Sequence, residues 1–313
     1  MKTIIKQAIQ SVAATMVLPG LLIAPSDAQL KEPVRQQIQQ DQQTWIPVIR
    51  KDGRIVAMEL ESYICRVVLG EMPASFDEEA LKAQAVAART YTLQQVELGD
   101  RHHGAICTDY TCCQEYLEPE DYIGDRGTQA HVDKVFQAVL DTAGQVLRYD
   151  GELISATYFA SAGGQTESAE AVWGSHYPYL VPVSSPETSS YDGEQKRFTL
   201  EQFQDLLGAC LDGAPEDWFG PVTYTVGDGV ETMWIGQHAY RGTTLRSIFG
   251  LRSTIFDVWV EEDQIVFQTM GYGHRVGMSQ YGADHMADNG YNYRQILAHY
   301  YQGTDLEYYK DND

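Results

Sequence analysis

Cations are scarce in this sequence. Its 313 residues carry 22 Lys and Arg against 44 Asp and Glu, a formal charge of −22. A protein that binds polyanions needs a basic footprint to displace counterions, so this balance argues against nucleic acid as a partner. Long apolar runs are missing too: past the N-terminal segment, no stretch is long and apolar enough to cross a bilayer, which takes about 20 residues. No internal repeat or low-complexity tract stands out. Among catalytic signatures there is no Ser-His-Asp or nucleophile-elbow pattern and no His-Glu-x-x-His motif of zinc hydrolases. Ser161-Ala162-Gly163-Gly164 has glycines but not the Lys or Ser/Thr of a phosphate-binding loop. Cysteine is sparse, five in all, yet Cys107, Cys112 and Cys113 fall in one short loop behind His102 and His103.

What is present suffices for a folded protein. With 43% hydrophobic residues the chain can bury a sizeable core, as one large domain or two closely packed ones. Tyr is frequent, at 20, and rings with polar tips suit sugar faces and ordinary cores alike. Lys2 and Lys6 precede an apolar run over 13–24, broken by Pro19 and Gly20, and Ser26-Asp27-Ala28 supplies small residues at cleavage-site spacing. Residues 1–28 therefore read as a signal peptide or N-terminal anchor, 29–44 as a polar connector, and 45–310 as the functional domain of an exported protein. Asp52-Gly53 and Asp150-Gly151 each lie between apolar runs and mark hairpins, 45–50 with 54–58 and 144–149 with 153–159. Helices are expected at 132–141, 200–211, 279–287 and 293–301, strands at 222–226, 252–259 and 264–270, and a loop or subdomain junction at 184–195. The fold class is α+β, with mixed helices and antiparallel strands.

The stretch 61–95 is the best place for chemistry. Leu60, Tyr63, Ile64, Val67 and Val68 recur at helical spacing, and Glu71 falls on the same face. A carboxyl group driven toward the buried side resists ionisation, and a raised pKa lets it hand over a proton near neutral pH. The alternative is a charge at a helix end that faces water. Pro73 interrupts the helix. Ser75, with Glu78 three residues on, reads as a capping box for a second helix whose Ala80, Ala83, Ala85, Ala87 and Ala88 allow close packing.

The cysteine loop has two readings. His102, His103, Cys107, Cys112 and Cys113 supply soft ligands for a tetrahedral zinc, although the spacing departs from Cys-x-x-Cys. Alternatively Cys107 pairs with Cys112 or Cys113 in a disulfide, which an oxidising compartment favours. Cys65 and Cys210 read as packing residues. The histidines at 131, 176, 238, 285 and 299 show no ligand spacing.

Three separated motifs resemble the stage II sporulation protein D family, which includes related enhancers of cell-wall amidases. They are Glu71-Met72-Pro73-Ala74-Ser75-Phe76 with Leu81-Lys82-Ala83-Gln84-Ala85-Val86-Ala87-Ala88-Arg89-Thr90-Tyr91; Ser161-Ala162-Gly163-Gly164-Gln165-Thr166-Glu167 with Val172-Trp173-Gly174; and the run from Gly271 through His274 to Ala283. The family usually has Gly after the motif His, and this chain has Arg275, which adds a cation and a side chain there. The resemblance implies lytic transglycosylation of peptidoglycan glycan strands stripped of stem peptides during engulfment of the forespore, with Glu71 as general acid and base. A glycosidase that uses water normally needs two opposed carboxylates, and Glu71 is the one carboxylate that the sequence singles out. Gln114 and Tyr116, directly after the cysteine cluster, read as sugar contacts or as ordinary loop hydrogen-bonding residues; substrate-binding roles follow from the resemblance for Arg89, Ser161, His274, Met278, Ser279, Gln280 and Tyr281. Some family members hold zinc in a similar loop, so the resemblance favours a structural zinc over a disulfide, with Cys112 in place of a family His. It also implies a cell-wall amidase and a membrane protein as partners, at the outer face of the cytoplasmic membrane or in the wall. The competing class is a non-catalytic glycan binder that activates an amidase.

Overall fold

The computed structural model describes residues 44–309. The export signal and all but the last residue of the connector lie outside them. Among the described residues, no helix is long and apolar enough to cross a membrane. The chain forms two compact units, one from residues 44–75, Thr92–Gln145 and 308–309, the other from Phe76–Tyr91 and Val146–Glu307.

In the first unit, β1 (Trp45–Ile49) and β2 (Ile55–Glu59) form the expected antiparallel hairpin, with Gly53 at φ +81° in its turn. β3 (Ile106–Cys107) joins the other edge of β1 in parallel. Helix α1 (Leu60–Glu71) leaves β2 directly, because the Glu59 carboxylate accepts from the Glu61 and Ser62 N–H groups and caps it. The apolar stripe understates its burial. Cys65 and Arg66, off that stripe, are buried as well, since α1 packs against both α3 (Pro119–Asp125) and α4 (Gln129–Asp141).

Helix α2 (Glu78–Leu98) contributes residues 78–91 to the second unit and 92–98 to the first. Its alanines at 80, 83, 85, 87 and 88 are buried. Its cap is Asp77, not Ser75: the Asp77 carboxylate accepts from Glu79 N–H at 2.8 Å, and its carbonyl from Leu81 N–H.

β4 (Gln145–Tyr149), in the second unit from Val146 on, pairs with β5 (Glu152–Leu153) through a turn at Asp150 and Gly151, both at positive φ as a two-residue hairpin of this type demands. The strand expected to run on to 159 breaks after Leu153, where successive tight turns (Ala156 N–H to Ile154, Thr157 N–H to Ser155) replace the ladder. It resumes as β6 (Tyr158–Phe159), which pairs in parallel with β15 (Met278–Ser279). β7 (Gly164–Gln165) pairs with β8 (Ser184–Ser185), and α5 (Ala169–Trp173) lies between them in sequence.

The segment expected as a loop through 195 ends in β9 (Glu194–Thr199), an edge strand on β14 (Gln264–Met270), which pairs in turn with β13 (Ile255–Glu261). α6 (Leu200–Leu207) stops at Gly208, φ +64°, short of the expected 211. A further sheet, β10 (Phe219–Tyr224), β11 (Val230–Ile235) and β12 (His238–Arg241), packs with α7 (Gly242–Phe249) over a core that includes Phe203, Trp218, Leu245, Phe249 and Phe267. α8 (Gln280–Asp288) and α9 (Tyr293–Tyr300) stand where periodicity puts them, and β16 (Asp305–Tyr308) pairs with β4.

Candidate functional site

Glu71 is the last residue of α1 and is half-buried, not on the fully buried side. The reason is local: Met72 leaves the helix in an extended conformation and takes the buried place itself. One carboxylate oxygen of Glu71 accepts from the Glu115 N–H at 2.6 Å. The loop 114–118 is laid along α1 by further bonds. Leu117 N–H reaches the Arg66 carbonyl, and the Glu118 carboxylate takes both Arg66 Nε and Arg50 at 2.7 Å. Arg66 is almost wholly buried, so this pair compensates a charge that would otherwise be costly inside the unit. Burial pushes the Glu118 carboxyl up, but the Arg66 charge and the hydrogen bonds from both arginines outweigh it and hold the carboxyl below its ordinary range.

Gln114 and Tyr116, expected as sugar contacts, are buried and engaged internally. Gln114 donates to Thr92 Oγ1 at 2.8 Å; the Tyr116 hydroxyl accepts from Arg50 and donates to Glu118. Their role in the structure is to fix the loop that holds Glu71.

That loop begins at the cysteine cluster. The donor atoms of His102, Cys107, Cys112 and Cys113 lie within 4.8 Å of one another. His102 Nε2 is 3.2 Å from Cys112 Sγ, and the sulfurs of Cys112 and Cys113 are 3.9 Å apart. Tetrahedral zinc, with bonds of about 2.3 Å to sulfur and about 2.0 Å to nitrogen, sets its ligands roughly 3.5–3.8 Å apart, so these four residues fit it. His103 is outside the cluster, which corrects its expected place among the ligands. Both histidines sit at positive φ, +48° and +54°, a conformation that non-glycine residues hold only when their surroundings impose it. All five cysteines are free thiols. Burial pushes the Cys113 thiol up to about 12.

In the second unit, Gly163 serves close packing, since a Cβ there would lie 2.8 Å from the Met270 carbonyl carbon, whereas Gly164 has open space and a φ of +110°; Ser161 bridges to Tyr272. His274 lies between Phe159 and Trp173, with ring centroids at 5.6 and 5.2 Å, and its Nδ1 accepts from Val276 N–H. Desolvation, aided by the nearby Arg246 charge and opposed by a hydrogen bond with the Tyr158 backbone, pushes its pKa down to about 4. The ring is therefore neutral at physiological pH.

Arg275, the cation that stands where the family usually has Gly, does not face solvent. It turns inward and is fully buried, donating to the carbonyls of Ala162, Gln165 and Gly227 and to Thr254 Oγ1. Arg89, Ser161, Met278 and Ser279 are fully buried and Gln280 nearly so. Tyr281 is half-exposed and packs against Phe76 and Tyr191, which meets Tyr272 edge to face with ring centroids 4.8 Å apart.

Sequence reasoning missed Glu187. This buried carboxylate accepts from the Ala162 N–H at 2.6 Å and from Ser279 Oγ at 2.8 Å, tying the Ser161 motif to the Ser279 cap of α8. Its Oε2, like Ser161 Oγ, is buried and meets no partner among the described residues. Lying in a stretch rich in Ser, Pro, Asp and Glu, it carries no sequence signal that separates it from a solvated charge.

Residues 50–149 match the family described as Stage II sporulation protein. The chain is 38% identical to stage II sporulation protein D of Bacillus subtilis (strain 168) and 37% identical to that of Bacillus amyloliquefaciens, in both cases over 83% of this chain and 78% of the relative. It is also 30% identical to the amidase enhancer of Bacillus subtilis (strain 168), over 78% of this chain and 40% of that longer protein. Similarity of that extent, together with the three motifs in order, places the chain in the stage II sporulation protein D family.

Proposed function

We propose that this protein is a lytic transglycosylase that cleaves stem-peptide-free peptidoglycan strands in sporulation, with Glu71 as general acid and then base. The observation that carries the reading is the seat of Glu71, half-buried at the end of α1 and gripped by the Glu115 N–H at 2.6 Å. The Glu71 carboxyl protonates the glycosidic oxygen as its bond to the anomeric carbon breaks. The carboxylate then takes the proton of a hydroxyl on the same muramic residue, whose oxygen closes an anhydro ring on that carbon. The acid is regenerated and no water is consumed, so one carboxyl group suffices where hydrolysis needs two.

His102, Cys107, Cys112 and Cys113 would hold a zinc with a closed shell of protein ligands, which supplies folding energy and no reactive water. Family membership supports the sporulation role, and the printed name of the amidase-enhancer relative supports a wall amidase as partner. The N-terminal sequence supports export to the outer face of the membrane or the wall.

The test is mass spectrometry of denuded strands after incubation with the protein and with Glu71→Gln. Anhydro-muramic ends from the unmutated protein, reduced at least about a hundredfold in the variant, are expected. Strands bound but left intact by the unmutated protein would replace this reading with the amidase-activating one.

A further inference from the structure

A cationic pocket of about 580 Å³ lies within the second unit, lined by Glu194 and Lys196 of β9, Arg246 of α7, and Arg252 and Tyr272. Three cations against one carboxylate invert the sign of a chain that carries −22 overall. Two of the cations are already engaged. Arg252 pairs with Glu194 at 2.7 Å and lies over the Tyr272 ring, and Lys196 Nζ donates to the Gly250 carbonyl at 2.6 Å.

Arg246, like Lys196, meets a carbonyl and, among the described residues, no carboxylate, but burial weighs on it. It is half-buried, its Nε donates to the Arg252 carbonyl at 3.2 Å, and among the described residues no carboxylate pairs with it. Burial accordingly holds it below the usual arginine range. Its place in the last turn of α7 gains from the helix dipole, but that gain is available at the surface and does not require a pocket shared with two more cations. A desolvated guanidinium without an anion is a site that an anion would complete.

We propose that this pocket is an anion subsite in which Arg246 anchors the free lactyl carboxylate of a muramic acid residue. The proposal rests on the reading of glycan strands as substrate and names what the protein recognises on them. A planar guanidinium matches a carboxylate in a two-point fork, and Tyr272, in the pocket wall with one face under Arg252, adds a polar-tipped ring beside the adjoining sugar. With the stem peptide in place the same carbonyl is an uncharged amide that Arg246 cannot pair. A site built around a buried polar group rejects analogues that leave the group unpaired far more strongly than an apolar pocket rejects a missing methylene. The pocket would therefore account for a preference for stripped strands.

The experiment titrates the protein with N-acetylmuramic acid, N-acetylglucosamine and inorganic phosphate by calorimetry. It also measures binding of the Glu71→Gln protein to denuded strands before and after their lactyl carboxylates are capped as methylamides. Expected are a preference of about tenfold or more for N-acetylmuramic acid over N-acetylglucosamine, a similar loss on capping, and disappearance of both differences in Arg246→Gln, with thermal unfolding unchanged. Should that variant lose its fold, Arg246→Lys is expected to cut the preference severalfold. Capped and uncapped strands bound alike, a preference that survives either substitution, or tighter binding of phosphate than of N-acetylmuramic acid would overturn the assignment. Strands bound through the carboxylate but never cut would instead end the transglycosylase reading and leave this one standing.

Discussion

Gly70 precedes Glu71 in α1, where glycine is about 1 kcal/mol worse than alanine. A Cβ there would lie 2.6 Å from Glu115 Cγ and 3.2 Å from the Glu115 carbonyl carbon. The missing side chain is what lets the loop close on the helix and bring the Glu115 N–H to Glu71. Gly70→Ala should therefore lower kcat on denuded strands by about tenfold, a loss of positioning worth about 1.4 kcal/mol, with KM little changed. The rate of appearance of anhydro ends measures it, and an unchanged kcat would remove the Glu115 bond from the account of Glu71. At this scale Glu71 stands out in the sequence as a candidate through its place after an apolar stripe and before Pro73. Gly70 and Glu115 do not, because a close approach between segments 44 residues apart leaves no local pattern. The place of Arg275 has no local signal for a related reason: a lone arginine in a glycine-rich loop shows no pattern, and only the carbonyls of Ala162, Gln165 and Gly227 show that it faces inward.

The element that decides whether Glu71 is held is the loop from His102 to Glu118. One end is the His102, Cys107, Cys112, Cys113 cluster and the other is the carboxylate pair with Arg66. Removing a bound zinc would leave three thiols and an imidazole without a common partner in a segment that already holds two residues at positive φ. Chelation is expected to lower the unfolding midpoint by several degrees and to slow strand cleavage in parallel, with zinc restoring both; Cys107→Ser should behave as the chelated protein. Metal analysis after purification should return one zinc per chain. A protein that contains no metal and is indifferent to chelation would leave the cluster as packed thiols. Elements with a strong local cause were legible, among them the Asp-Gly hairpins, whose turns need positive φ, and the amphipathic helices near the C-terminus. β9 was not, since its Glu-Gln-Lys-Arg run reads as solvated and only the partner strand β14 makes it a strand. The break after Leu153 was equally hidden, because the parallel pairing of β6 with β15 joins segments 120 residues apart in sequence.

Across the whole molecule, composition points to a sizeable core and argues against polyanion binding, and the patterning of the elements points to α+β; neither can foresee a local concentration of cations at Lys196, Arg246 and Arg252. The formal charge of −22 works against compactness, since like charges repel more in the folded state than in the expanded one. Exposed pairs such as Arg54 with Asp52 and Arg197 with Glu261 offset little of this, because such pairs are worth about 0–1 kcal/mol and fade in salt. The Arg66–Glu118 pair, with Arg66 almost wholly buried, is screened far less. Raising sodium chloride from 10 to 150 mM shortens the Debye length from about 30 Å to about 8 Å, which removes most of the long-range repulsion and spares the buried pair. The unfolding midpoint is therefore expected to rise by a few degrees over that range, with most of the gain below about 100 mM. Scanning calorimetry at fixed pH and fixed zinc measures it. A midpoint that falls as salt is added would mean that surface ion pairs, not net repulsion, dominate the electrostatics of the fold.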